Sequence, residues 1–170
     1  LNQQFKIGDT NHADTAYFSS TIESIIHYKG RRVFLVGGAL DNKPFNDYGI
    51  GFCGAEGKEG TWKDAEDGQL SKNSIEHGVV DSVVSWGRDI PGGGQITLYY
   101  WVAMGETYRE VCELLQYIFE KTPEHLVEST KDFWQAWINQ TELSFYGLSE
   151  KAKNLFYDSL LVMRAHADDR

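Results

Sequence analysis

The sequence predicts an α+β protein, mainly β followed by α: part of an antiparallel β-sandwich and then three α-helices. Two observations carry this. Residues 1–103 contain short runs rich in Val, Ile, Tyr, Phe and Thr, separated by turn residues and without helical periodicity. After Gly105, apolar residues recur every three or four positions instead. The 170 residues, 41% hydrophobic and 14% aromatic, are enough for one ordinary core.

The elements follow in order. Ser24–Tyr28 and Arg32–Val36 flank Lys29-Gly30-Arg31, whose glycine suits a tight hairpin turn. Gly49-Ile50-Gly51-Phe52-Cys53-Gly54 matches the spacing of a dinucleotide fingerprint. No amphipathic helix follows to hold a pyrophosphate, so the segment reads as a glycine-rich loop. Val79–Trp86 and Ile96–Val102 enclose Pro91-Gly92-Gly93-Gly94 and read as a second hairpin. Ile96, Leu98, Tyr100 and Val102 give that last strand an apolar face. Its other face, Thr97, Tyr99, Trp101 and Ala103, is not polar either, so both sides should be covered.

The first helix opens with Thr107 and Glu110 at capping-box spacing and continues through Val111, Leu114, Leu115, Ile118 and Phe119. Thr122-Pro123 pairs an N-cap with a first-turn proline. The second helix that follows carries Leu126, Phe133, Trp134 and Trp137 along one side. Phe145–Leu148 is a break. Ser149 caps a third helix with a stripe of Ala152, Leu155, Phe156, Ser159, Leu160 and Met163.

Charge and composition exclude several functions. A net charge of -9 provides no basic field for phosphate backbones, which argues against a nucleic-acid partner. No apolar run approaches the roughly 18 residues of a membrane span, and residues 1–20 lack the pattern of a signal peptide, so no membrane partner is expected and the cytoplasm is the default location. Leu1 stands at the start in place of Met, and the last helical pattern reaches Asp168-Asp169-Arg170 without a Gly or Pro stop. Both ends are expected to be cut from something longer. Cys53 and Cys112 read as small buried hydrophobes or idle thiols, with a disulfide left open. His12, His27, His77, His125 and His166 never approach zinc-ligand spacing; no metal site is assigned, and each reads as a surface or interface histidine. Ser19, Ser20 and Ser24 lie outside any nucleophile-elbow motif. Asn139-Gln140-Thr141 is a glycosylation sequon that matters only in a secretory pathway.

Several ordered motifs then combine: Gly60-Thr61-Trp62-Lys63-Asp64-Ala65-Glu66-Asp67-Gly68, Val80-Asp81-Ser82 and Tyr99-Tyr100-Trp101-Val102-Ala103. Upstream stand Phe5-Lys6-Ile7-Gly8, Asp14-Thr15-Ala16-Tyr17 and Ile26-His27-Tyr28-Lys29-Gly30; downstream stand Phe133-Trp134-Gln135-Ala136-Trp137 and Leu155 to Leu161. In these the chain resembles the prokaryotic glucoamylases of glycoside hydrolase family 15, over nearly its whole length. The resemblance implies the C-terminal part of an antiparallel β-sandwich domain at 1–103, a helical linker at 104–140 and the truncated start of an α/α-barrel catalytic domain at 141–170. It implies hydrolysis of terminal α-glucosidic bonds with inversion by two carboxyl groups roughly 6.5–9.5 Å apart. In the family both are glutamates on barrel loops. Those loops are expected beyond Arg170, so no catalytic residue is assigned and the chain alone is expected to be inactive. No cofactor is implied. The implied partners are the catalytic barrel of the same polypeptide and the α-glucan or oligosaccharide substrate of the full enzyme. Self-association of the isolated chain through unpaired strand edges is also expected. A stand-alone carbohydrate-binding or interaction module is the alternative.

The remaining site candidates are Trp62, Asp64, Glu66 and Asp67. The three acids alone would suggest an acid/base pair or a Ca²⁺ loop, but the spaced ligands and glycine of an EF-hand are missing. A structured loop in which Trp62 packs and the acids accept backbone hydrogen bonds, facing substrate or the barrel, is one reading; a solvated acidic turn is the other. Trp62, Trp86, Tyr99, Tyr100, Trp101, Trp134 and Trp137 are large rigid faces, mostly at core spacing. Trp62, in a loop, is the one chosen as a sugar contact.

Overall fold

The structure is a computed structural model, and it describes residues 1–5, 14–53, 60–140 and 143–167. Of the residues in the sequence motifs, Lys6–Gly8, His12, Gly54, Thr141 and Asp168–Arg170 lie outside the described residues. The strands come first and the long helices after, as the periodicity predicts. The strands are β1 (Asn2–Gln3), β2 (Asp14–Ser19), β3 (Ser24–Lys29), β4 (Arg32–Leu40), β5 (Asp47–Phe52), β6 (Ile75–Gly78), β7 (Val80–Ser85) and β8 (Leu98–Gly105). The helices are α1 (Thr61–Asp64), α2 (Tyr108–Lys121), α3 (Pro123–Ile138) and α4 (Glu150–His166). Sequence periodicity finds the three long helices. The additional α1 is a single turn, too short to show a period.

Two compact units divide the chain, Leu1–Tyr117 and Ile118–Arg170. In the first, every described strand pairing is antiparallel, in sheets ordered β1-β7-β5 and β6-β2-β3-β4-β8. β3 and β4 form the expected hairpin, with Lys29 opposite Arg32 and Gly30 at φ 59° in the turn. The second expected hairpin does not exist. β7 lies between β1 and β5 in one sheet, while β8 pairs with β4 in the other. Alternation shows that a segment is a strand but not which partner its backbone finds, and the connection from Trp86 to Thr97 exceeds the two to five residues usual in hairpins.

Ala16, Ile25 and Val36 of the larger sheet meet Ile50, Val80 and Val84 of the smaller one, together with Phe45, so the sheets pack face to face. The opposite face of the larger sheet packs Ile26, Val33, Leu35 and Ala103 against Val111 and Leu115 of α2. These last two are one helical turn apart, so both point at the sheet. β3 and β4 are therefore covered on both sides, which explains their nearly unbroken burial. β8 is not covered in this way. Ala103 is buried beneath α2 and Tyr100 packs at the inter-sheet core, but Leu98, Val102 and Met104 on that same inner face are exposed. The larger sheet extends sideways past the strands that cover it.

All three expected caps form. The Thr107 hydroxyl accepts from the Glu110 amide at 3.2 Å, Thr122 from His125 at 3.4 Å and Ser149 from Ala152 at 3.3 Å. In the second unit, Trp134 and Trp137 meet edge to face at 5.9 Å, and Phe145 packs on Phe156 at 5.4 Å. Neither α3 nor α4 buries a residue, and Val127, Phe133, Leu155, Phe156, Val162 and Met163 are exposed. No described helix is long and apolar enough to cross a membrane.

Truncating Leu35, sealed between β4 and α2, to alanine should cost about 2–5 kcal/mol in urea unfolding. The same truncation at exposed Val127 should stay within about 0.5 kcal/mol.

Candidate functional site

The motif Gly60–Gly68 folds as α1 and a descending loop against the outer side of the smaller sheet. Asp81 of β7 organises it. Both of its carboxylate oxygens accept from the Thr61 amide, at 3.1 and 2.9 Å, and one also accepts from Asn2 Nδ2 at 3.2 Å. Asn2 Nδ2 lies 2.9 Å from Thr61 Oγ1 as well. Asp81 and Thr61 are both buried, so the carboxylate exchanges water for directed N–H groups. Gly60 permits the approach in two ways: it has φ 99°, and a Cβ there would stand 2.7 Å from Asp81 Oδ2.

Gly49 and Gly51 gain their explanation here. A Cβ on Gly51 would meet Thr61 Cγ2 at 2.6 Å, and one on Gly49 would meet Asp64 Oδ2 and Ser71 Oγ at 3.1 Å. These glycines stand two apart on one face of β5 and clear the ground on which the loop lies. Gly49–Phe52 is thus strand and not the loop expected from its glycines.

The sequence-predicted residues separate. Asp64 Oδ2 accepts from the Ser71 amide at 2.7 Å and Asp67 Oδ1 from the Gln69 amide at 2.9 Å, so both fasten the loop to its own backbone. Asp47, which no sequence motif marks, adds a 3.4 Å contact to the Leu70 amide. Glu66 is exposed, and Trp62 is 49% exposed on α1. Among the described residues, no group of three His, Cys, Asp or Glu side chains is placed to hold a metal ion. Cys53 and Cys112 are not disulfide-bonded, and both are half-buried.

A second polar constellation lies between the sheets. His27, expected at a surface or interface, is instead buried: its Nε2 stands 2.8 Å from Ser82 Oγ, and Phe5 meets its ring edge to face at 5.0 Å. Ser82 donates its hydrogen to Gln3 Oε1 at 2.9 Å. The hydroxyl has one hydrogen to give, so His27 Nε2–H is the donor and Ser82 the acceptor. A serine activated by histidine needs the reverse polarity, so the pair ties β3 to β7 and β1 and does not make a nucleophile. Nearby, Lys29 and Asp14 form a buried ion pair at 2.6 Å across β3 and β2. Burial lowers the His27 pKa from 6.5 to about 4. Only the interaction of His27 with Ser82, 55 positions away, reveals its place, and nothing in the local sequence encodes that pairing.

Fold and loop together define the class: an α+β protein of two face-to-face antiparallel sheets, carrying a carboxylate-anchored loop on the outside of the smaller sheet. Comparisons with protein-family profiles, with curated proteins and with solved structures find no match.

Asp81→Ala leaves the buried Thr61 amide without its acceptor and should lower stability by about 1–3 kcal/mol, whereas Glu66→Ala should change it by under about 0.5 kcal/mol. Paired urea titrations check the contrast. For His27 the folded state binds fewer protons than the unfolded chain between pH 6.5 and about 4. Its contribution is therefore fully present above pH 6.5 and lost as the pH falls through that window, by about 3 kcal/mol in all. His27→Gln should flatten this part of the stability–pH curve measured by chemical denaturation.

Proposed function

We propose that the chain is the non-catalytic sandwich and linker segment of an inverting glucoamylase-type glycoside hydrolase. That enzyme acts in the cytoplasm on terminal α-glucosidic bonds of starch-like glucans or oligosaccharides, and this segment supports and orients its catalytic α/α barrel. The observation that carries the reading is the state of α3 and α4: both have apolar side chains at helical spacing, yet neither buries a residue. Helices of this kind gain their stability from packing an apolar face, so they suit a segment built to lie against further helices. The exposed inner face of β8 at Leu98, Val102 and Met104 has the same character. Asp64, Asp67 and Asp81 favour a supporting role, because each holds backbone amides in place. The motif resemblance supplies the enzyme class.

The polypeptide encoded by the complete reading frame should release glucose from maltotriose initially as the β-anomer, followed by proton NMR, and residues 1–170 alone should release none. Hydrolysis by residues 1–170 alone, or a complete reading frame with no helical barrel after Arg170, overturns the proposal.

A further inference from the structure

Away from the α1 loop, where the β4–β5 connection meets the end of β7, an open cleft of about 150 Å³ is lined by Leu40, Pro44 and Trp86 and rimmed by Asp41, Lys43, Asn46 and Arg88. We infer that this cleft is a binding site for a single neutral pyranose ring. The inference rests on the cleft's own chemistry and is independent of the hydrolase reading.

The apolar part of the cleft is fixed. Trp86 lies on the inner face of β4, where a Cβ on Gly38 would stand 2.6 Å from its Cζ2, and it meets Phe45 edge to face at 6.0 Å. Its Nε1 is buried and has no hydrogen-bond partner among the described residues. The indole therefore offers the cleft carbon surface and not a donor. Such surface suits the C–H face of a sugar ring.

The rim is fixed too. Asp41 and Asn42 have φ 51° and 60°, and Leu40 and Lys43 exchange backbone hydrogen bonds of 2.9 and 3.0 Å across them, a two-residue turn of the mirror-image type. That turn presents Asp41 to Arg88, whose Nη2 donates to Asp41 Oδ2 at 2.9 Å with both side chains about half exposed. Asn46 Oδ1 accepts from the Gly87 amide at 3.0 Å, and its Nδ2 donors have no partner among the described residues. A planar carboxylate, a planar guanidinium and an amide thus surround an apolar floor, the mixture of acceptors and donors that a ring of hydroxyls requires.

Charge selects against the alternatives. An organic cation would face Arg88 and Lys43, and an anion would face Asp41 on a chain of net charge -9. The volume lies below the roughly 300 Å³ at which drug-sized pockets begin, which limits the ligand to about one ring.

Titration of the ¹⁵N-labelled chain with methyl α-D-glucopyranoside and methyl β-D-galactopyranoside tests this, with acetate and tetramethylammonium as charged comparisons. At least one pyranoside should shift the Trp86 indole, Asn46 side-chain and Gly87 amide resonances saturably at millimolar concentration. Asp41→Asn keeps a residue tolerant of the left-handed turn, and Arg88→Gln changes a half-exposed side chain. Each should weaken that binding about tenfold, while Val127→Ala, at an exposed position of α3, should leave it unchanged. No saturable shift with either pyranoside, equal shifts with acetate or tetramethylammonium, or variants that bind as well as the parent overturn the inference.

Discussion

Covering both faces of β3 and β4 is the constraint on which the rest of the first unit depends. Ile25 and Val36 face the smaller sheet, while Ile26, Val33 and Leu35 face α2, so neither cover can be removed without exposing half of these strands. The adjacent Gly37 and Gly38 serve both covers at once. A Cβ on the first would collide with Trp101 on the α2 side, and one on the second would collide with Trp86 on the inter-sheet side. Two missing side chains let two indoles lie flat on opposite faces of one strand, with the close packing that an interior requires.

Polar groups inside this frame hold strands together and loops in place. Asp81 points outward from β7 to the α1 loop and Ser82, its neighbour, points inward to His27, so consecutive residues of one strand anchor structure on both sides of the smaller sheet. Each carboxylate that holds the loop accepts backbone N–H groups. This favours a rigid surface feature over proton-transfer chemistry, in keeping with the supporting role proposed.

What the sequence revealed was local. Short runs rich in Val, Ile, Phe and Tyr located β3, the first part of β4, β7 and β8, and three-and-four periodicity with Thr107, Thr122 and Ser149 located α2, α3 and α4 together with their caps, because those signals lie within a few residues of the structure they direct. What it concealed was remote. β7 and β8 are separated by a glycine-rich connection that resembles a turn, and their assignment to different sheets follows from partners far away in the chain. Gly49 and Gly51 have the composition of a loop, and only the distant Thr61 and Asp64 that rest on them explain glycines in a strand. The Asp41–Arg88 pair spans 47 positions, so the cleft it rims leaves no motif.

The pairing of β1 with β7 sets the order in which the molecule can be completed. Asn2 and Gln3 have no partners until Ser82 and Val83 are present, whereas β2, β3 and β4 can zip together from short turns. On the ribosome that delay is on the order of several seconds at ordinary elongation rates. β1 is thus made before β7 but fixed only with it, and the Gln3–Ser82–His27 bridge closes at the same point.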